Sequence, residues 1–525
     1  MCYNVAVNSG EYYFFRRYNN LERNAYIEIN NYTAKLIIAE VQKNSFFNVV
    51  SRRVVPIELG KDFDKDRFLK RAQIDYAIEV LKQFKKTCNM YEVNKSIAIA
   101  TFLNEKKPKN LNSFIDEVYT KCGFKIDYYE EDSQDAALFN SSLNTIEGNK
   151  AFVCLMDYDS IRFVQYNRRG VVNHMVFPFG PLSLLNDFPK EQFEGNDRLE
   201  AIENYIDAEL SRIEFVEDVK ALKFIGVGKL FEDLSKMVRK YKKYPFDRTH
   251  NFVMYRDSID YIYNQLSPMG IESNKKIKGL EDCRLDVFLI AQIIMQKIFN
   301  LFETQNVYVS KNGVLEGYIL TENIETNQDT PLLDMLTFGV EGCLMNMNEI
   351  RRVHAKQVAK LAVIIFKELK VVHKLPKGYL KILKAAAYLH DLGYAVNYFK
   401  HSAHSYYMII NNDVLGLTHR EQILAGFVAS LHHGEDVNLP EWLKYSSILE
   451  EEDALAVKKL GILLNMAESF DVSMCSVITD IHCDILGDSV IFKTENELDK
   501  SYELDEASNI SKQFEQLFKK RPEIL

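Results

Sequence analysis

Eight of the chain's eleven histidines fall between His354 and His433, a density that packing needs alone do not account for. At the centre lies Ala386-Ala387-Tyr388-Leu389-His390-Asp391-Leu392-Gly393-Tyr394, an apolar run ending in a His-Asp doublet and a glycine. An imidazole and a carboxylate on successive helical residues diverge by roughly 100°, so one can bind a metal while the other binds the same ion or a second. A divalent metal, Mn, Fe, Zn, Co or Mg, suits such donors. More ligands must come from other segments. His354 sits in the helical pattern Arg351-Arg352-Val353-His354-Ala355-Lys356-Gln357-Val358, which continues through Leu361, Ala362 and Ile365. His401 and His404 are three apart and share a helical face. The pair His432-His433 follows, and Asp471 closes an apolar helical run over 463–471. His354, His390, Asp391 and Asp471 are therefore expected to hold one metal, with Asp391 also counted as catalytic. His404, His432 and His433 are expected to bind a second metal. The chemistry implied is a metal that lowers the pKa of a bound water, giving hydroxide near neutral pH. The alternative for each histidine is an ordinary hydrogen-bonded helix residue, and His373 and His419 are assigned to it.

These residues need a large scaffold. A chain of 525 residues exceeds one hydrophobic core and predicts three or four domains. The net charge of −9 supplies no global basic field, which argues against a specific nucleic-acid partner; the basic run 239–243 reads as a solvated helix face. Eight cysteines without CxxC spacing argue against a zinc ribbon or a disulfide framework and for a reducing compartment. Neither a signal-peptide pattern nor a membrane-length apolar run occurs, so a cytoplasmic location without a membrane partner is expected.

Residues 1–23 have no clear period and read as an irregular leader. Two strands around Asn30-Asn31 are expected over 25–41, and another over 54–59. A helix over 68–88, a buried strand over 96–101, a helix over 111–122 and a strand over 124–129 follow, an alternation typical of α/β layers. The alternation restarts at 151–156 and continues through 161–166 and 171–177. A long helical stretch over 198–220 and a strand over 223–228 come next. Two α/β halves with similar starts predict a duplicated, two-lobed domain with a cleft between the lobes. A helical region over 331–476 carries the histidines, and 477–525 read as a strand followed by a helix.

The order H…HD…H…HH…D resembles that of the HD-domain phosphohydrolases, whose helical bundles hold one or two metals that activate water. More of the chain resembles the exopolyphosphatase and guanosine pentaphosphate phosphohydrolase (Ppx/GppA) family, whose catalytic domain has the actin-like fold. Val309-Ser310-Lys311-Asn312-Gly313-Val314-Leu315-Glu316-Gly317 resembles that family's V-S-x-x-G-L-R-E-G. His390-Asp391-Leu392-Gly393-Tyr394 with His404-Ser405-Tyr406-Tyr407 and Asn412 resembles its C-terminal helical domain, which is why His404 is preferred to His401. The earlier motifs are degenerate. The family's D-I-G-S-N-S falls on Glu28-Ile29-Asn30-Asn31-Tyr32-Thr33, and its D-I-G-G-G-S-T-E-L on 155–163. Its carboxylate-bearing G-x-E-E-A-R-L falls on 132–138, with Gln134 and Asp135 where the acidic pair stands.

Phosphate loops use glycine so that successive backbone N–H groups converge on an anion. Here Asn30 replaces one such glycine, and Asp157, Tyr158 and Asp159 replace three. The fold implied is an actin-like two-lobed α/β domain (1–135 and 136–317), then an HD-type all-α domain (318–476) and a small α/β unit (477–525). The activity implied is phosphoanhydride or phosphate-ester hydrolysis, with the HD-type site as the active centre. The alternative enzyme reading hydrolyses polyphosphate in the cleft. There Asp135 would be the base, Glu28 would place a cation, and Asn30, Ser160, Gly226 and Gly228 would touch substrate. A regulator that binds a nucleotide in an eroded cleft is the non-enzyme reading. Polyphosphate, a nucleotide or another phosphorylated small molecule is the partner in view, and the resemblance also implies a homodimer. Leu315 stands where the family has Arg, which predicts that 309–317 packs the lobe against the helical domain with Glu316 facing water or a lysine.

Overall fold

In the computed structural model, residues 22–41, 47–60, 67–194, 197–271, 280, 284–323, 334–345, 347–496 and 499–525 are described. Most of the leader read over 1–23 lies outside them. The chain opens with a meander of three antiparallel strands, Glu22–Ile29, Thr33–Val41 and Asn48–Pro56. Lys95–Ala100 then pairs parallel to Glu22–Ile29, and Ile126–Tyr128 pairs parallel to Lys95–Ala100, completing a five-stranded sheet. Period-two alternation gives the sheet two working faces. Ala25, Ile27 and Ile29 pack under the helices Arg71–Met90 and Leu111–Cys122. Tyr26 lies on the opposite face, against Leu315, Ile319 and Leu320 of the helix Val314–Asn323. Glu28 follows two residues later on that same face.

The second lobe repeats the plan. Lys150–Met156, Ile161–Asn167 and Gly170–Phe177 form an antiparallel meander, and Lys223–Val227 pairs parallel to Lys150–Met156. Asn306–Ser310 and Phe252–Tyr255 extend the sheet to six strands. Phe152, Cys154 and Met156 face a core with the helix Leu285–Leu301, while Ala151 and Val153 face Leu138 of the helix Glu131–Leu143. The stretch expected as one helix over 198–220 is two, Asp197–Leu210 and Val216–Val219. The run 239–243 is not all solvated: Arg239 is buried and bonds Ser235 and Thr249.

Neither lobe boundary expected from the sequence falls at a break in the chain. The helix Glu131–Leu143 runs across 135/136, and Val314–Asn323 runs across 317/318. The two helices cross so closely that a Cβ on Gly317 would collide with the Ala137 carbonyl. Glu316 is buried rather than facing water or a lysine: it pairs with Arg52 and accepts the Gly313 N–H at 2.9 Å.

The remaining helices bundle around one core. They include Met335–Leu344, Glu349–Glu368, Tyr379–Leu389, His401–Asn411, His419–Ser430 and Asp453–Ser469. The terminal sheet of Ile478–Leu486, Ser489–Asn496 and Arg521–Ile524 contributes Ile478 and Phe492 to that same core, with Phe514 from the helix Ser511–Phe518. No described helix is long and apolar enough to cross a membrane.

Candidate metal centre

Six segments of the helical domain converge on one buried point. Asn348 caps the helix Glu349–Glu368 by accepting the Arg351 N–H, and that helix carries His354. The helix Tyr379–Leu389 delivers His390 and Asp391, after which the chain turns through a short 3-10 segment, Leu392–Ala395. Gly393 is required in that turn. A Cβ there would meet the His401 carbonyl and sit 2.5 Å from the Ser405 nitrogen, while its own N–H bonds Ser405 Oγ at 2.8 Å. The doublet is thereby pinned to the helix His401–Asn411. His432 and His433 follow the helix His419–Ser430, and Glu468 lies in the last turn of Asp453–Ser469.

The hydrogen bonds fix which ring nitrogen faces the centre. His390 Nδ1 bonds the Ala387 carbonyl at 2.8 Å, His401 Nδ1 that of Tyr398 at 3.1 Å, and His432 Nδ1 that of Ala429 at 2.5 Å. His354 Nδ1 bonds Asp471 Oδ2 at 2.9 Å. These oxygens only accept, so each Nδ1 carries the proton and each Nε2 presents a lone pair, the arrangement typical of metal-binding histidines. The Nε2 atoms of His401 and His432 are 3.0 Å apart, as are those of His401 and His433. Asp391 Oδ1 lies 3.4 Å from His390 Nε2 and 3.6 Å from His401 Nε2.

These donors fit a metal. His390 Nε2, Asp391 Oδ1 and Glu468 Oε2 are all buried without a hydrogen-bond partner, a costly state for polar atoms unless a cation satisfies them. Lone pairs facing at 3.0 Å repel unless something positive lies between them. His401, His432 and His433 form one group with ligand atoms within 4.8 Å of one another. His354, His390 and Glu468 form another, and Asp391, His432 and Glu468 join the two. Burial pushes the His390 imidazole down to about 4 and His432 well below its ordinary value, holding both rings neutral. Burial also drives the Glu468 carboxyl well above its ordinary value, helped by Asp391.

Two expected ligands are displaced by one helical turn. Asp471 is behind the centre, with one oxygen on His354 and the other on the Ser476 N–H at 2.7 Å. Glu468, one turn earlier, occupies the place expected for it. His404 is not in the cluster: its Cβ lies against Gly393, and His401, about 4.5 Å back along the helix axis, supplies the ring. His373 and His419 make ordinary bonds, to Phe366 and Leu375 and to Tyr244 and His250 respectively. Arg351 was missed. It stands one turn before His354, a spacing that could have marked it. Its guanidinium donates to Asp391 Oδ2 at 2.7 Å and lies 3.3 Å over the Tyr394 ring, which stacks on His401 at 3.9 Å.

The interlobe cleft is filled by the chain itself. Glu28 pairs with Lys35 at 3.0 Å and accepts the Thr101 hydroxyl at 3.0 Å. Asn30 closes its own turn by accepting the Tyr32 and Thr33 N–H groups. Asp135 is held by Arg162 at 2.5 Å and His174 at 2.8 Å, and Arg162 also reaches Gln134 Oε1 at 3.0 Å. Asn31 donates to Asp159 across the lobes at 2.7 Å. The Ser160 carbonyl accepts the Asp157 N–H at 2.9 Å, and burial pushes the Asp157 carboxyl up to about 6. The space left among these groups is about 20 Å³, enough for one water molecule. Gly226 and Gly228 do not line it. A Cβ on Gly226 would strike the Phe231 ring at 2.5 Å, and one on Gly228, at φ +107°, would strike the Met156 carbonyl oxygen at 2.5 Å. Packing and backbone conformation require both.

The Ppx/GppA phosphatase family model matches residues 37–325, and that of Ppx/GppA phosphatase, domain III, matches residues 341–519. A bifunctional 3-dehydroquinate synthase/phosphatase of Fusobacterium nucleatum is 26% identical over 325 residues, covering 59% of this chain and 48% of that protein. A guanosine-5'-triphosphate,3'-diphosphate pyrophosphatase of Aeromonas hydrophila is 30% identical over 144 residues, 27% of this chain and 28% of that one. The chain thus spans about half or less of these curated relatives. An exopolyphosphatase of Cytophaga hutchinsonii has the same fold at 18% identity, with a TM-score of 0.51 over 57% of this chain and 97% of its own. The duplicated meander-and-crossover sheets are the actin-like fold, and the chain belongs to the Ppx/GppA phosphatase family.

Proposed function

We propose that this chain is a metal-dependent phosphohydrolase whose working centre is the His/Asp/Glu cluster of the helical domain, a centre of the HD type. It acts on phosphoanhydride or phosphate-ester bonds of polyphosphate, a nucleotide or another phosphorylated small molecule. The observation that carries this reading is the convergence of three buried, unsatisfied ligand atoms, on His390, Asp391 and Glu468. His354, His390, Asp391 and Glu468 would hold one divalent ion, and His401, His432 and His433 a second or the phosphate. Such an ion supplies Lewis-acid activation of water and neutralises phosphate charge.

The chain's own residues do the rest. Asp471 holds His354 in the tautomer that exposes Nε2, and the carbonyls of residues 387, 398 and 429 do the same for their histidines. Arg351 keeps one nitrogen on Asp391 and has others to fork onto a phosphate oxygen. In this reading the actin-like cleft is a scaffold, because Arg162 and Lys35 already neutralise the carboxylates that a catalytic base or a metal would need. A cytoplasmic location is part of the proposal, supported by cysteines that are free among the described residues, and the homodimer rests on the sequence resemblance alone.

The test is elemental analysis of protein purified without chelator, alongside phosphate release. His390→Ala and Asp391→Ala should each lose the metal and the turnover, while Asp135→Ala keeps both. Metal content unchanged in the first two, or turnover lost in Asp135→Ala alone, would return the activity to the cleft.

A further inference from the structure

Far from the cleft, the seam between the second lobe and the helical domain forms an open groove of about 670 Å³. Its lobe-side wall includes Asn149, just before the strand Lys150–Met156, whereas Asp157 in the cleft follows the strand's other end. Seven strand residues put the two places about 23 Å apart. The facing wall comes from the helices Glu349–Glu368 and Tyr379–Leu389 and the segment before the latter.

The charges lining this groove do not balance. Lys381 is bridged to Glu147 at 2.8 Å and Glu421 at 2.9 Å, and Lys384 to Asp334 at 2.5 Å. Those pairs use both acids of the lining. Arg168, Lys367 and Lys377 remain, all on the same groove and none with an acidic partner among the described residues. These three cations are exposed on the rim of one groove and give it a local positive field in a chain whose net charge is −9. Leu336, Val363 and Leu380 add an apolar floor, and the volume is that of a small-molecule site.

We propose that this seam is a second binding site, for a compact polyanion carrying about three negative charges of the oligophosphate or tricarboxylate kind. Its occupant joins Arg168 of the lobe to Lys367 and Lys377 of the helical domain. It also rests on the helix that ends at His390, about 14 Å beyond Lys381. An anion here therefore ties the second lobe to the element that carries the His-Asp doublet.

The test is calorimetric titration of the full chain with inorganic tripolyphosphate and, separately, with citrate at fixed ionic strength. The protein carries His390→Ala, which disables the first metal position, and any anion still held by His401, His432, His433 or Arg351 is told apart because the seam variants leave it unchanged. One binding event should persist in this background and weaken about tenfold or more in Arg168→Glu and in Lys367→Glu/Lys377→Glu. A control reversal at the remote Lys512 and Lys519 should leave it unchanged. Binding of both anions supports the shared chemistry, and binding of tripolyphosphate alone narrows it to phosphate. No binding of either, or equal weakening by the control, overturns the proposal. Arg168 lies on an exposed turn, so its variant tests the site even where the lysine pair unfolds.

Discussion

Replacing His419 by Gln removes a titrating group from the seam between the second lobe and the helical domain, and its effect on stability should depend on pH. His419 is 6% exposed. Its Nε2 donates to the His250 carbonyl at 3.0 Å, and its Nδ1 accepts the Tyr244 hydroxyl at 3.0 Å. Burial, with Arg239, His250 and Arg248 nearby, lowers its pKa to about 4. The folded pKa is below the unfolded value near 6.5, so the neutral ring contributes stability that is present above pH 6.5 and is lost as pH falls toward 4. The full difference is about 3 kcal/mol, of which about 2 kcal/mol disappears between pH 7 and pH 5. Asp157 acts with the opposite sign. Its carboxyl is raised to about 6, so acidification stabilises the fold through that group, and the wild-type profile alone does not isolate His419. The assay is therefore urea unfolding of wild type and His419→Gln at pH 7 and pH 5. It is followed by Trp442, the single tryptophan, which packs on Phe427 at 5.0 Å and reports the helical domain. The gap between the two proteins should narrow by about 2 kcal/mol on acidification; a gap that stays constant would refute the neutral-ring reasoning.

Arg351→Gln should raise KM for a phosphorylated substrate by about 10- to 100-fold at saturating metal, and should also weaken metal binding because Arg351 holds Asp391; steady-state kinetics at saturating metal with a metal titration reads both. Asp471→Asn should weaken metal binding by about 10- to 100-fold through the freed His354 tautomer, measured by competition with a chelating dye. Gly393→Ala should destabilise the helical domain by about 3 kcal/mol or more, because the new methyl meets backbone atoms of His401 and Ser405; an unfolding midpoint within error of wild type would contradict the close approach.

Much of the scaffold was legible because its signals are local. Turn residues at Asn30-Asn31 separate two apolar runs, and the helical period over 111–122 coincides with the observed helix. The break between Leu210 and Val216 was not legible, since Ile213 and Phe215 continue an apolar pattern that tertiary packing interrupts. In the helical domain, the His-Asp doublet lies in the turn where the buried ligand-type side chains gather. Glu468 against Asp471, and His401 against His404, are choices between like residues one turn apart, and only the bundle's rotation decides them. The lost glycines announced that the cleft departs from its family. Lys35 faces Glu28 directly across that hairpin, but Arg162 reaching Asp135 from another element is a longer-range fact that no local pattern carries.

The backbone contact between Gly317 and Ala137 also sets how the lobes move. Two helices touching main chain to main chain act as a pivot: they admit a scissor rotation and oppose sliding, which would drive the Ala137 carbonyl into a bulkier neighbour. The Asn140–Thr321 hydrogen bond at 3.0 Å pins the same crossing one turn further along. Opening about this pivot must separate Asn31 from Asp159, whereas Asp135 and Arg162 travel together, because the helix Glu131–Leu143 packs on the second lobe's own sheet.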